Sequence, residues 1–279
     1  MRECDFLGIT LQYEMCYTNI LQVLELSEIP LRAADRSDSD PIVIGGGPCT
    51  YNPEPIAPFF DLFYMGEGEV IYDQLLDLYL AHKEADGDRI SFLKKAAALP
   101  GIYVPSLYEP RYREDGTLSS FEPLCPEAPA SVRRLVMSVL DRADFIDTPL
   151  VPFIRVTQDR SVLELMRGCI RGCRFCQAGN VYRPQREHSV EYLKRYAEKL
   201  LKITGNEEIS LSSLSSSDYS RLQEFLEYLI QYTKERKINI SLPSLRIDAF
   251  SLDVMQRIQD VKKSSLTFAP EAGTQRLRD

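Results

Sequence analysis

Cys169, Cys173 and Cys176 stand together in 166-MRGCIRGCRFCQAG-179, in a chain that spreads its four other cysteines widely. Thiolates spaced in this way suit an iron–sulfur cluster, because soft sulfur ligands favour iron and one short loop can reach three corners of a cubane. The fourth iron would have no protein thiolate, which is the arrangement that leaves a metal open to a substrate or cofactor. Two other readings compete. A structural zinc site wants a fourth Cys or His, and the nearby histidine is His188, in a stretch read as loop. Buried or redox thiols explain neither the spacing nor the glycines of the loop, Gly168, Gly172 and Gly179. Arg167, Arg171, Arg174, Arg183 and Arg186 make the stretch locally basic, which suits an anionic ligand.

The elements that must position this loop follow a regular pattern. Strand 161–168 is followed by helix 189–205, strand 207–213, helix 218–237, strand 238–244, helix 251–263 and strand 265–270. This is β/α winding of the barrel type, with functional loops at the C-terminal ends of the strands. Four such strands cannot close a barrel, so the sequence reads as a fragment or as a chain whose last strand needs a partner.

Upstream, strand 5–12, helix 16–31, strand 41–48 and strand 61–69 give a parallel α/β reading of strand, helix, strand, helix, strand, about half of a doubly wound domain. Helices follow at 69–87 and 89–99, then a hairpin at 101–123 around Asp115-Gly116. The proline-rich 122–130 is a connector, and 131–140 and 151–160 read as mostly strand-like.

With 279 residues and 44% hydrophobic content, the chain has ample material for a core. A net charge of −8 argues against a basic nucleic-acid clamp, so no nucleic-acid partner is indicated. The start, 1-MRECDFLG-8, has no basic region before an apolar run, and no stretch approaches the ~20 apolar residues that span a bilayer. With an odd number of scattered cysteines, this points to a reduced, cytoplasmic setting and no membrane partner.

The segment 169-CIRGCRFC-176 resembles the hallmark of the radical SAM superfamily. The longer 168-GCIRGCRFCQAGNVYRPQRE-187 is similar to the signature of a subfamily with an N-terminal cobalamin-binding-like domain. The resemblance implies a 4Fe-4S cluster on Cys169, Cys173 and Cys176 with S-adenosylmethionine on the open iron. An external donor's electron would then cleave the cofactor reductively to a 5′-deoxyadenosyl radical. It places Phe175 near the adenine, against the competing reading of a plain core aromatic.

Where relatives carry a Gly-Gly-Glu-like segment, this chain has 212-SSLSSSDYS-220. Ser213 and its neighbours can offer hydroxyls and carbonyls to the cofactor there, or Ser215–Asp218 can simply cap the following helix. Arg246, in 243-PSLRID-248, can meet a carboxylate of cofactor or substrate, or pair with Asp248. Glu271, in 269-APEAGTQRLR-278, resembles the acid of the family's Pro-Glu-x-Gly segment and would face the pocket.

The implied fold class is α/β, in three parts: a partial doubly wound, cobalamin-binding-like domain at 1–75, a helical and hairpin connector at 76–150, and an incomplete radical SAM (β/α) barrel at 151–279. The stretch 42–69 resembles the second half of a cobalamin-binding domain, with glycines at its strand ends. No histidine precedes His82, so cobalamin with a histidine below the cobalt is not encoded; the missing half lies upstream, or the domain is a degenerate scaffold. The expected function is a radical SAM enzyme, or a fragment of one, on an unknown substrate. The alternative is a non-catalytic iron–sulfur or zinc module, and a truncated barrel with a wet, inactive site is a third outcome.

Overall fold

The computed structural model describes residues 1–142, 146, 148–154, 156–243, 270 and 272–278. It divides into two compact units, Met1–Met137 and Ser138–Asp279. The first unit is built on β1 (Phe6–Thr10), α1 (Tyr17–Leu26), β2 (Ile42–Gly46) and β3 (Leu62–Tyr64). Helices α2 (Tyr72–Glu84) and α3 (Arg89–Ala97) lead to a short β4 (Ile102–Tyr103). The sheet order is β1-β2-β3-β4, parallel except for the antiparallel β3–β4 pair. Ile42, Val43, Ile44 and all of β3 are buried, as apolar runs covered on both faces of a parallel sheet must be.

Three expectations change here. The second helix of the alternating pattern is replaced by 3-10 turns at Pro48–Tyr51 and Glu54–Phe59, because Pro55 and Pro58 remove N–H donors that an α-helix needs. Ile102–Tyr103, expected in a hairpin arm, instead extends the sheet on β3. The hairpin itself is β5 (Tyr108–Tyr112) against β6 (Leu118–Pro123), turned by Asp115, which accepts from the Thr117 amide at 2.9 Å. The stretch 131–137 is not a strand: Leu135 makes a single parallel bridge to Gly66. No described residue of 151–160 lies in a strand.

Phe92, Leu93, Ala96 and Ile102 share one buried cluster with Val43 and Leu62, so part of the expected connector packs into the core of the first strands. Beneath it sits Asp61, almost wholly buried, paired with Arg36 at 2.8 Å and Arg89 at 2.7 Å. The Val43 amide also donates to Asp61 at 2.7 Å, while Arg36 and Arg89 donate onward to backbone carbonyls, including those of Phe59 and Pro41. A buried charge set of this kind is tolerated because its hydrogen-bonding capacity is taken up.

The second unit carries β7 (Ser161–Glu164), β8 (Met166–Arg167), α4 (Ala178–Val181), β9 (Arg186–Glu187), α5 (Val190–Thr204), β10 (Glu208–Ser212), α6 (Leu222–Lys234), β11 (Asn239–Ser241) and α7 (Gln275–Arg278). Among the described residues, strands β7, β10 and β11 form a parallel sheet in the order β11-β10-β7, open rather than closed into a barrel. Helix α5 starts where Ser189 accepts from the Tyr192 amide and stops at Gly205 in the left-handed region. Its Val190, Leu193, Ala197 and Leu201 form one buried stripe, matched on α6 by Phe225, Leu226, Leu229 and Ile230. The helix expected at 251–263 and the strand at 265–270 lie outside the described residues, Pro270 excepted.

Candidate functional site

The cysteine loop leaves and returns at one place. Strand β8 pairs antiparallel with β9, Met166 opposite Glu187 and Arg167 opposite Arg186, so residues 168–185 are pinched at their base. The Leu165 amide donates to Ser212 of β10 at 2.9 Å, which keeps this base at the C-terminal end of the parallel sheet, where such folds place their sites. Gly168 turns the chain with φ of +86°, and a Cβ there would meet the carbonyl oxygens of Tyr182 and Pro184, each at 2.6 Å. Only glycine fits that combination.

All three loop cysteines are free thiols, Cys169 and Cys176 half-buried and Cys173 exposed. The Arg171 amide donates to Cys169 Sγ at 3.4 Å, and the Cys176 amide to the Cys173 carbonyl at 3.0 Å. Among the described residues no three His, Cys, Asp or Glu side chains converge as a group able to hold a metal ion. The donor chemistry fits an iron–sulfur cluster, and thiol sites commonly assemble only together with their metal group. Phe175 is 74% exposed, so it is not the core aromatic of the competing reading.

The loop is tied to the segment after β10. Arg171 grips Asp218 through two nitrogens, one of them at 2.9 Å, and Asp218 also accepts from Ser215 Oγ at 2.8 Å. On the returning limb, Gln185 Nε2 donates to the Asp218 carbonyl at 3.3 Å, and Glu187 takes the Ser220 amide at 3.1 Å. Ser215–Asp218 therefore do not cap α6, whose N-cap residue is Arg221 with no side-chain cap. Ser213, directly after β10, shares a 2.9 Å hydroxyl contact with Ser216, whose hydroxyl reaches the Pro243 carbonyl at 2.9 Å after β11. Arg246 and Glu271 lie outside the described residues.

His188, the fourth ligand of a zinc reading, is 1% exposed and committed elsewhere. Its Nδ1 lies 3.0 Å from Asp141, and its ring stacks on Tyr192. An ionised carboxylate only accepts, so Nδ1 carries the proton. Nε2 lies 3.9 Å from Glu164, which is bonded in turn to Arg167 at 3.0 Å. Burial pushes the Glu164 carboxyl up, but His188 and Arg167 outweigh it and hold the group below its usual range. Sequence reasoning missed Asp141, Glu164 and Asp218. The short Glu164–Arg167 and Ser215–Asp218 spacings were the visible signals, whereas Arg171–Asp218 and His188–Asp141 each join residues 47 positions apart.

In the first unit, Gly66, after β3, is covered by the chain itself. A Cβ on Gly66, whose φ is +146°, would lie 2.5 Å from the Leu135 carbonyl oxygen. Leu135 and Met137 continue along this edge, the Leu135 amide on Met65 at 3.0 Å and the Met137 amide on Glu67 at 2.7 Å. His82 is buried between α2 and α3, with Asp88 at 2.9 Å and Lys95 at 3.1 Å. His82 is thus engaged within its own unit and is not placed as a cobalt ligand, in keeping with a domain that encodes no histidine below the cobalt.

An α/β chain with a pinched cysteine loop at the C-terminal end of an open parallel sheet defines a class before any comparison. Comparison makes it specific: residues 163–279 match the model described as Radical SAM superfamily, and residues 1–105 the model described as Radical SAM proteins, N-terminal. The chain belongs to the radical SAM superfamily. It is 29% identical over 287 residues to Uncharacterized protein MJ0966 of Methanocaldococcus jannaschii, an alignment that covers 100% of this chain and 52% of that one. The chain thus spans about half the length of the curated relative it matches. Among solved structures it is similar to the radical S-adenosylmethionine methyltransferase TsrM from Kitasatospora setae, with cobalamin and a [4Fe-4S] cluster bound. That match has 13% identity and a TM-score of 0.49, and covers 93% of this chain and 48% of the other. The same enzyme with tryptophan substrate and a SAM analogue bound matches at 12% identity and a TM-score of 0.48.

Proposed function

We propose that this chain is the cluster-binding part of a radical enzyme that uses S-adenosylmethionine, with Cys169, Cys173 and Cys176 as the three protein ligands of a 4Fe-4S cluster. The observation that carries this reading is the free C-x3-C-x2-C thiol set on a loop pinched shut at the end of the parallel sheet, inside the region matching the superfamily model. When bound, such a cluster supplies the electron that cleaves S-adenosylmethionine to a 5′-deoxyadenosyl radical.

The chain's own residues hold and orient. Phe175, exposed beside the last ligand, offers a face for the adenine. Ser213, at the end of β10, presents a hydroxyl that can receive the cofactor's amino group. Arg246, beyond β11, and Glu271, after the strand expected at 265–270, are assigned to the carboxylate and to the rim of the pocket. The electron comes from an external donor. Cobalamin has no part in this proposal.

The test is anaerobic reconstitution with iron and sulfide, then electron paramagnetic resonance of the dithionite-reduced protein with and without S-adenosylmethionine. A cubane signal that shifts with the cofactor is the expected result. Cys169→Ala, Cys173→Ala and Cys176→Ala should each abolish cluster loading, while alanine at Cys4, Cys16, Cys49 or Cys125 should leave it intact. A signal indifferent to the cofactor, or stoichiometric zinc with no cluster, would instead support the non-catalytic module.

A further inference from the structure

The structure assigns Asp218 as a positioning residue for the cysteine loop: through Arg171 it holds the backbone amide that donates to Cys169 Sγ. This rests on the cluster reading above. Asp218 lies on the turn after β10, its side chain 5% exposed, and takes the Arg171 guanidinium in a two-pronged grip. Arg171 lies between Cys169 and Cys173, so fixing its side chain fixes the peptide whose N–H points at Cys169 Sγ, 3.4 Å away.

The same carboxylate is braced by Ser215 at 2.8 Å. Arg183 Nη2 ties the Arg171 carbonyl to the returning limb at 2.9 Å. The outgoing limb, the returning limb and the strand end thus meet at one residue pair. Hydrogen bonds to ligand sulfur tune an iron–sulfur potential, and the partners that orient ligands shape both affinity and electronics. A guanidinium held flat by a carboxylate cannot be replaced by lysine, whose point charge lacks the fork.

The experiment compares the full chain with Asp218→Asn, Asp218→Glu, Arg171→Lys and the Arg171→Lys/Asp218→Asn pair. Circular dichroism first selects the variants that keep the fold. In the metal-free proteins, alkylation of Cys169, read by peptide mass spectrometry, should accelerate about tenfold in Asp218→Asn and Arg171→Lys, the factor that ~1.4 kcal/mol of lost restraint represents. Alkylation of the exposed Cys173 should barely change, and Asp218→Glu should restore part of the protection. The double variant should be no faster than either single one, because both break one interaction.

In the reconstituted proteins, Asp218→Asn should shift the cluster's midpoint potential while the iron content stays near that of the wild type. Unchanged Cys169 protection together with an unchanged potential would overturn the assignment. If the wild type takes up no cluster, the cluster reading fails by itself, and the alkylation series still decides whether Asp218 holds the loop.

Discussion

Gly168 is the residue on which the loop's entry depends, since its φ of +86° and the backbone oxygens 2.6 Å from a Cβ position exclude any side chain. Gly168→Ala should cost about 2 kcal/mol or more, from a left-handed backbone and from the displacement of Tyr182 and Pro184. It should lower both the melting temperature and cluster loading. Gly172→Ala meets nothing within 4 Å and should leave stability near that of the wild type. Parallel thermal melts of the two variants check this, and equal destabilisation would remove the special role of Gly168. At this scale the cysteines were legible because their spacing is local, whereas the pairing of Arg171 with Asp218 joins residues that no short-range pattern connects.

At the scale of elements, α5 is held at its start by Asp141, which accepts from the Ser189 amide and from His188 Nδ1, each at 3.0 Å. Burial raises the Asp141 carboxyl, but hydrogen bonds from Ser189 and His188 outweigh it and leave the group below its ordinary range. A carboxylate depressed in the folded state adds stability above its unfolded value near pH 4 and loses it as the pH falls through the folded value. Asp141→Asn should therefore melt lower than the wild type at pH 7, with the gap narrowing as the pH falls below about 4. Melting curves across that range read the effect, and a gap independent of pH would show that charge is not what anchors the helix.

At the scale of the whole molecule, the two units have separate buried clusters, one around Val43, Leu62 and Phe92 and one around Leu163, Ile209 and Phe225. Asp61→Ala should strip Arg36 and Arg89 of their buried partner, at a cost of roughly 3–5 kcal/mol. Leu163→Ala should cost roughly 2–5 kcal/mol through the cavity it leaves. Scanning calorimetry should show each substitution shifting the transition of its own unit and leaving the other in place. A single transition moved equally by both would mean that the units unfold as one.

The amino-acid sequence by itself determined the thiol loop, because cluster chemistry depends on spacing along the chain. It also determined the helices whose buried stripes repeat every turn, as in Leu193, Ala197 and Leu201 of α5, and the Asp115–Gly116 hairpin, because these rest on contacts within a few residues. Tertiary structure alone decided that Ile102–Tyr103 joins β3, since two residues carry no period to read. It also decided that Leu135 bridges Gly66 after β3, and that Asp218 reaches back to Arg171. Those choices depend on which distant surfaces meet once the cores have formed, and periodicity along the chain records only that a side chain is buried, not against what.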